Sequence, residues 1–145
     1  MAGALVISVD VMGGDHGPAV ILPGLARLLP DPAGEIGFLL HGDRDALAPL
    51  LAGLPKLGAA SEVRHTRVEI PMDAKPAHAM RRGRGSSMWN AVEAVRERQA
   101  HAAVSAGNTG ALMAVSRLLL RQVARTGRPA PPVREAMTRL LEEKG

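Results

Sequence analysis

A chain of 145 residues with 46% apolar and 22% charged residues is one domain's worth of globular polypeptide. It carries a net charge of +4, no cysteine, one Phe (Phe38) and one Trp (Trp89). These counts exclude disulfide frameworks and thiolate chemistry, argue against reading nucleic-acid bases by stacking, and favour an acidic partner or substrate.

In chain order, strand and helix signals alternate. Leu5 to Val9 reads as a buried first strand ending at Asp10, too short for the apolar segment of a signal peptide. The later apolar stretches also fall short of a membrane span, so the expected location is the cytoplasm. A glycine-rich loop from Val11 to Gly17 leads to Pro18, which suits the first turn of a helix. That helix is expected to place Ile21, Leu25, Leu28 and Leu29 on one face and to end at Pro30 and Pro32. Ile36 to Leu40 reads as a second strand, with His41-Gly42-Asp43 as a loop into a short helix over Ala46 to Leu51. Val63 to Ile70 reads as a third strand with His65 and Arg67 facing solvent, and Pro71 to Arg84 as an aperiodic connection. Ser86 or Ser87 is placed to cap a helix that gathers Met88, Ala91, Val92 and Val95 on one side. Gly127 to Pro132 breaks the chain ahead of a last amphipathic helix carrying Val133, Met137, Leu140 and Leu141. Repeated strand–helix units imply an α/β fold with a parallel sheet and helices on its faces.

The chemistry concentrates between Ala100 and Ala114. A β-compatible run (Ala102, Ala103, Val104) breaks at Gly107-Asn108-Thr109-Gly110 and passes into an apolar helical run, Ala111 to Leu120. A strand feeding a glycine-rich turn feeding a helix is an arrangement that holds phosphate, because turn N–H groups and the positive end of the helix dipole meet at the anion. The alternative is that Asn108 or Thr109 only caps the helix and the glycines only shape the turn. Ligands in parallel sheets sit beyond the carboxyl ends of the strands. The loops Asp10–Gly17, His41–Asp43 and Gly107–Gly110 are expected to converge there, within reach of Arg82 or Arg84.

Sharper chemistries are set aside on residue grounds. There is no Gly-Lys-Ser/Thr of a Walker A loop, and Gly83-Arg84-Gly85 follows no strand. Ala103 to Gly107 resembles a nucleophile elbow, yet no histidine follows Ser105 to complete a triad. Five scattered histidines without cysteine or an HExxH pair make no zinc site. His16 stands apart from the other four, lying beside Asp15 in the loop after the first strand, where it suits a donor or acid/base role as well as ordinary loop hydrogen bonding.

Four motifs in register are similar to one family. Val9 to Pro18 (VDVMGGDHGP), Ile70 to Pro76 (IPMDAKP), Arg81 to Met88 (RRGRGSSM) and Val104 to Ala114 (VSAGNTGALMA) resemble the PlsX-type phosphate acyltransferases of bacterial phospholipid synthesis. The resemblance spans residues 5–130, the N-terminal part of such an enzyme, and leaves 131–145 as a divergent helical tail. It implies a partial three-layer α/β/α fold like those of isocitrate dehydrogenase and phosphotransacetylase. It also implies transfer of a long-chain acyl group from acyl carrier protein to inorganic phosphate, with no cofactor or metal, in a homodimer peripheral to the membrane. Carried over by motif position, Asp15, His16 and Asn108 are the catalytic candidates. Asp10, Gly13, Gly14, Ser86, Ser87, Ser105, Gly107, Thr109 and Gly110 are the phosphate or substrate contacts, and Arg81, Arg82 and Arg84 the docking surface for the acidic carrier. Family members are more than twice this length, so a non-catalytic remnant that binds phosphate or a partner chain is the second expectation.

Overall fold

The computed structural model describes residues 5–29 and 35–120. The elements run β1 (Leu5–Asp10), α1 (Pro18–Leu28), β2 (Ile36–Gly42), α2 (Arg44–Ala52), α3 (Pro55–Ala59), β3 (Ser61–His65), α4 (Pro76–Arg82), α5 (Ser87–Arg96), β4 (Ala102–Ser105) and α6 (Thr109–Leu120). All strand pairs are parallel, in the order β3-β2-β1-β4. Alternation of side chains along each strand sends one set of residues to each face of the sheet. On one face Val9, Phe38 and Leu40 pack with Leu22 and Leu25 of α1, Leu47 of α2 and Leu57 of α3. On the other, Leu39 meets Ala94 of α5 and Ala100. A further cluster joins Ala79 of α4, Met88, Trp89 and Val92 of α5, and Ala111, Val115 and Leu119 of α6. The architecture is thus a partial three-layer α/β/α sandwich with an all-parallel sheet. Apart from Phe38 and Trp89 its core is aliphatic and Met-containing, and removing each fully buried leucine from water contributes about 2 kcal/mol.

Several elements differ from expectation. Leu22 and Leu25 form the buried stripe of α1, whereas Leu28 is exposed, because the i, i+3 pair facing the sheet starts one residue later than the pattern suggests. Strand β2 runs on through His41 and Gly42, since β1 offers His41 a register partner in Asp10. Strand β3 stops at His65, short of Ile70, and α3 and α4 occupy stretches without a clear apolar period. The helix expected around Val133 to Leu141 and the break at Gly127 to Pro132 lie outside the described residues.

Candidate functional site

After β1 the chain builds outward through β2 and β3, then returns to place β4 on the opposite side of β1. The crevice between the carboxyl ends of β1 and β4 is therefore the topological switch point, where open parallel sheets bind ligands. Asp10 and Ser105 are register partners at that point. The Ser105 hydroxyl donates to Asp10 Oδ2 at 2.7 Å and accepts from Gly107 N–H at 3.0 Å. Asp10 Oδ1 in turn accepts from the N–H groups of Gly13 (3.0 Å) and Met12 (3.2 Å). One buried carboxylate thus ties the loop after β1 to the turn after β4. The two loops touch backbone to backbone: a Cβ at Gly13 would lie 2.9 Å from Gly107 N, and Gly14, at φ 91°, faces the carbonyl of Ala106.

Asn108 begins α6 as its cap, accepting from Ala111 N–H at 3.1 Å. Its amide nitrogen donates to the carbonyls of Ala74 (2.7 Å) and Pro71 (3.2 Å), clipping the segment before α4 to the turn. Thr109 and Gly110 hold the first two helical positions, where no carbonyl of the helix can reach their N–H groups. Free N–H groups at the positive end of a helix dipole are of the kind that suits an anion. Asp15 and His16 follow Gly14 directly and are exposed.

Other expected site residues sit further off. Ser86 caps α5, its Oγ accepting from Trp89 N–H at 3.1 Å, and Ser87 N–H donates to Val68 O at 2.9 Å; both serines are buried. The α5 residue that meets the turn is Met88, whose Cε would lie 3.1 Å from a Cβ at Gly107. Arg81 and Arg82 line an open cleft of about 430 Å³ with Lys75, Ala77 and His78, while Arg84 follows α4 and is exposed. The carbonyls of Pro71 and Ala74 escaped sequence reasoning, because a backbone acceptor leaves no mark on residue type. Lys75 was visible only as part of a motif.

His41, expected in a loop, lies within the sheet at 2% exposure, its Nε2 2.8 Å from Ser8 Oγ and its Nδ1 without a partner among the described residues. Burial, helped by the positive charge of Arg64 and opposed by Glu62, lowers its pKa from 6.5 to about 4. The unfolded chain binds the proton near pH 6.5 and the folded chain only near pH 4, so stability is intact above pH 6.5 and falls as the pH drops from 6.5 to 4. The expected loss is about 3 kcal/mol. Urea midpoints between pH 7 and pH 5 should slope downward in the natural chain and flatten in His41→Gln.

Among the described residues no group of three or more histidines and carboxylates is placed to hold a metal ion, and no helix is long and apolar enough to cross a membrane. The all-parallel sheet, the helices packed on it and the crevice at its switch point define the class, an α/β domain. Residues 5–134 match the family model described as "Fatty acid synthesis protein", and the chain belongs to that family. It is 62% identical over 130 residues to the phosphate acyltransferase of Caulobacter vibrioides, covering 90% of this chain and 36% of that protein. It is 56% identical over 130 residues to that of Phenylobacterium zucineum and 50% over 131 residues to that of Maricaulis maris, each time covering 90% of this chain and 37% of the relative. The chain therefore spans little more than a third of the length of these relatives.

Proposed function

We propose that this chain carries the phosphate-holding part of an acyltransferase that moves a long-chain acyl group from acyl carrier protein to inorganic phosphate, in phospholipid biosynthesis. The observation that supports it most is the Asp10–Ser105–Gly107 linkage, which fixes a glycine turn and the start of α6 at the switch point. Phosphate lies against the N–H groups of Thr109 and Gly110 with Ser105 and Asn108 fixing the turn beneath it. A phosphate oxygen attacks the thioester carbonyl; the C–O bond forms, the C–S bond breaks, and the phosphate's proton passes to the departing thiolate. Such a reaction needs no protein nucleophile, only two oriented reactants and donors for the developing oxyanion. Asp15 and His16, one and two residues beyond Gly14, orient the thioester. Gly13 and Gly14 let the loop approach, and Ser86 and Ser87 set α5 under the pocket. Arg81, Arg82 and Arg84 steer the acidic carrier protein. Homodimer formation and peripheral association with the inner face of the membrane belong to the same reading.

The test is phosphate-dependent loss of acyl groups from palmitoyl–acyl carrier protein. Acyl phosphate formation that falls about a hundredfold in Asn108→Ala is the expected result. A second reading, a non-catalytic module that binds phosphate or a partner chain, is favoured by β4 being the sheet's edge among the described residues, with Val104 50% exposed. An apolar groove of about 400 Å³ lined by Met80, Met113, Ala114, Arg117 and Leu118 points the same way. No turnover by this chain, with the Caulobacter vibrioides relative active in the same assay, would decide for that module.

A further inference from the structure

Helix α4 carries Lys75 at its cap, then His78, Arg81 and Arg82, spaced so that all four border one open cleft of about 430 Å³. None of the four side chains has a hydrogen bond or ion pair among the described residues. Three arginines elsewhere are neutralised locally: Arg64 by Glu62, Arg67 by Asp43 and Asp45, Arg96 by Glu93. Three permanent cations crowded without a carboxylate repel one another, a cost that a bound anion relieves. Guanidinium forks match phosphate oxygens in bidentate fashion.

The cleft's position gives the anion a context. Asn108 donates to the carbonyl of Ala74, the residue just before Lys75, and a Cβ at Gly110 would lie 3.3 Å from Pro76 Cγ. The first turn of α4 therefore leans on the first turn of α6, which sets Lys75, at one end of the cation cluster, between two residues that touch the turn. Two anionic reactants that must meet at one carbonyl repel each other unless each has its own cationic holder. The turn suits a small free anion against backbone N–H groups. The open, side-chain-lined cleft suits a phosphate that is tethered to something larger.

Resting on the function proposed above, we propose that Lys75, His78, Arg81 and Arg82 form a second anion site, which takes the phosphate ester on the thioester-bearing arm of the acyl donor. The cleft then anchors the donor while the turn anchors the acceptor.

Calorimetric titration of the 145-residue chain with 4′-phosphopantetheine, pantetheine and inorganic phosphate tests this. The expected result is a preference for phosphopantetheine over pantetheine of about tenfold or more. In Arg81→Ala/Arg82→Ala that preference collapses, while inorganic phosphate binds as in the natural chain. Arg81→Lys/Arg82→Lys retains part of it. Equal binding of the two pantetheine probes in the natural chain, or a preference that survives Arg81→Ala/Arg82→Ala, would overturn the proposal. Loss of inorganic phosphate alone, in Ser105→Ala, reports on the turn and so on the underlying functional reading. Both side chains exchanged in the cleft are exposed, so circular dichroism should show an unchanged fold.

Discussion

Asp10→Ala is expected to lower unfolding free energy by about 3 kcal/mol and to abolish phosphate binding at the turn. The carboxylate is 1% exposed and accepts from Ser105 Oγ, Gly13 N–H and Met12 N–H. Removing it strands three donors at the junction of two loops. The two backbone N–H groups are partly buried and recover some hydration, which keeps the loss below the sum of three orphaned groups. Among the described residues Asp10 has no ion-pair partner, so the substitution leaves no buried cation behind. Asp10→Asn separates geometry from charge. Its amide oxygen still accepts from Gly13 and Met12, but its nitrogen now donates to Ser105 Oγ, and the serine proton must find another acceptor. About 1 kcal/mol of stability is then lost, while phosphate binding falls at least about tenfold because the turn is re-aimed. Urea melts and calorimetric phosphate titration on both variants check this. Equal phosphate affinity in the natural chain and Asp10→Ala would detach the linkage from anion binding.

The parts of this fold that were legible in the sequence are those with strong local signals. Runs such as Leu5 to Val9 and Ile36 to Leu40, each bounded by loop-forming residues, announce buried parallel strands, and the Ser86-Ser87 pair announces a helix cap, which Ser86 supplies. The glycine turn after Val104 was legible because strand, turn and helix follow one another within a few residues. What escaped depends on partners distant in sequence. His41-Gly42-Asp43 reads locally as a loop, yet pairing with Asp10 and Arg64 on the neighbouring strands holds His41 in the sheet. Helix α4 has one buried residue, Ala79, and therefore no apolar stripe to betray it; packing against α6 creates it. Motif position marks Asn108 as a catalytic candidate, but its side chain bonds to carbonyls of Pro71 and Ala74, more than thirty residues away, as well as to its own helix. Residue type marks a polar group as interesting; only the fold says which backbone it will meet.

The contact between Gly13 and Gly107 leads to the second large effect. In Gly13→Ala the new Cβ would stand 2.6 Å from Asp10 Oδ2, 2.9 Å from Gly107 N and 3.0 Å from Gly107 Cα. None of these neighbours is the free end of a flexible side chain: two are backbone, and the third is a carboxylate oxygen fixed by the Ser105 hydroxyl. The loops must therefore part by several tenths of an ångström, stretching the bonds that hold Ser105 and Gly107. Overpacking of this kind costs about 2 kcal/mol. The larger consequence is functional, because the parted loops no longer aim the N–H groups of Thr109 and Gly110 at one point, and phosphate affinity is expected to drop more than about tenfold. Gly24→Ala is the matched control: it adds the same methyl inside α1 with nothing within 4 Å. It should raise stability by about 0.5–1 kcal/mol through a less flexible unfolded chain. Thermal melts and phosphate titrations on the pair decide the point. A Gly13→Ala chain that melts and binds like Gly24→Ala would mean that the two loops have room to yield, and that their close approach is not what shapes the anion site.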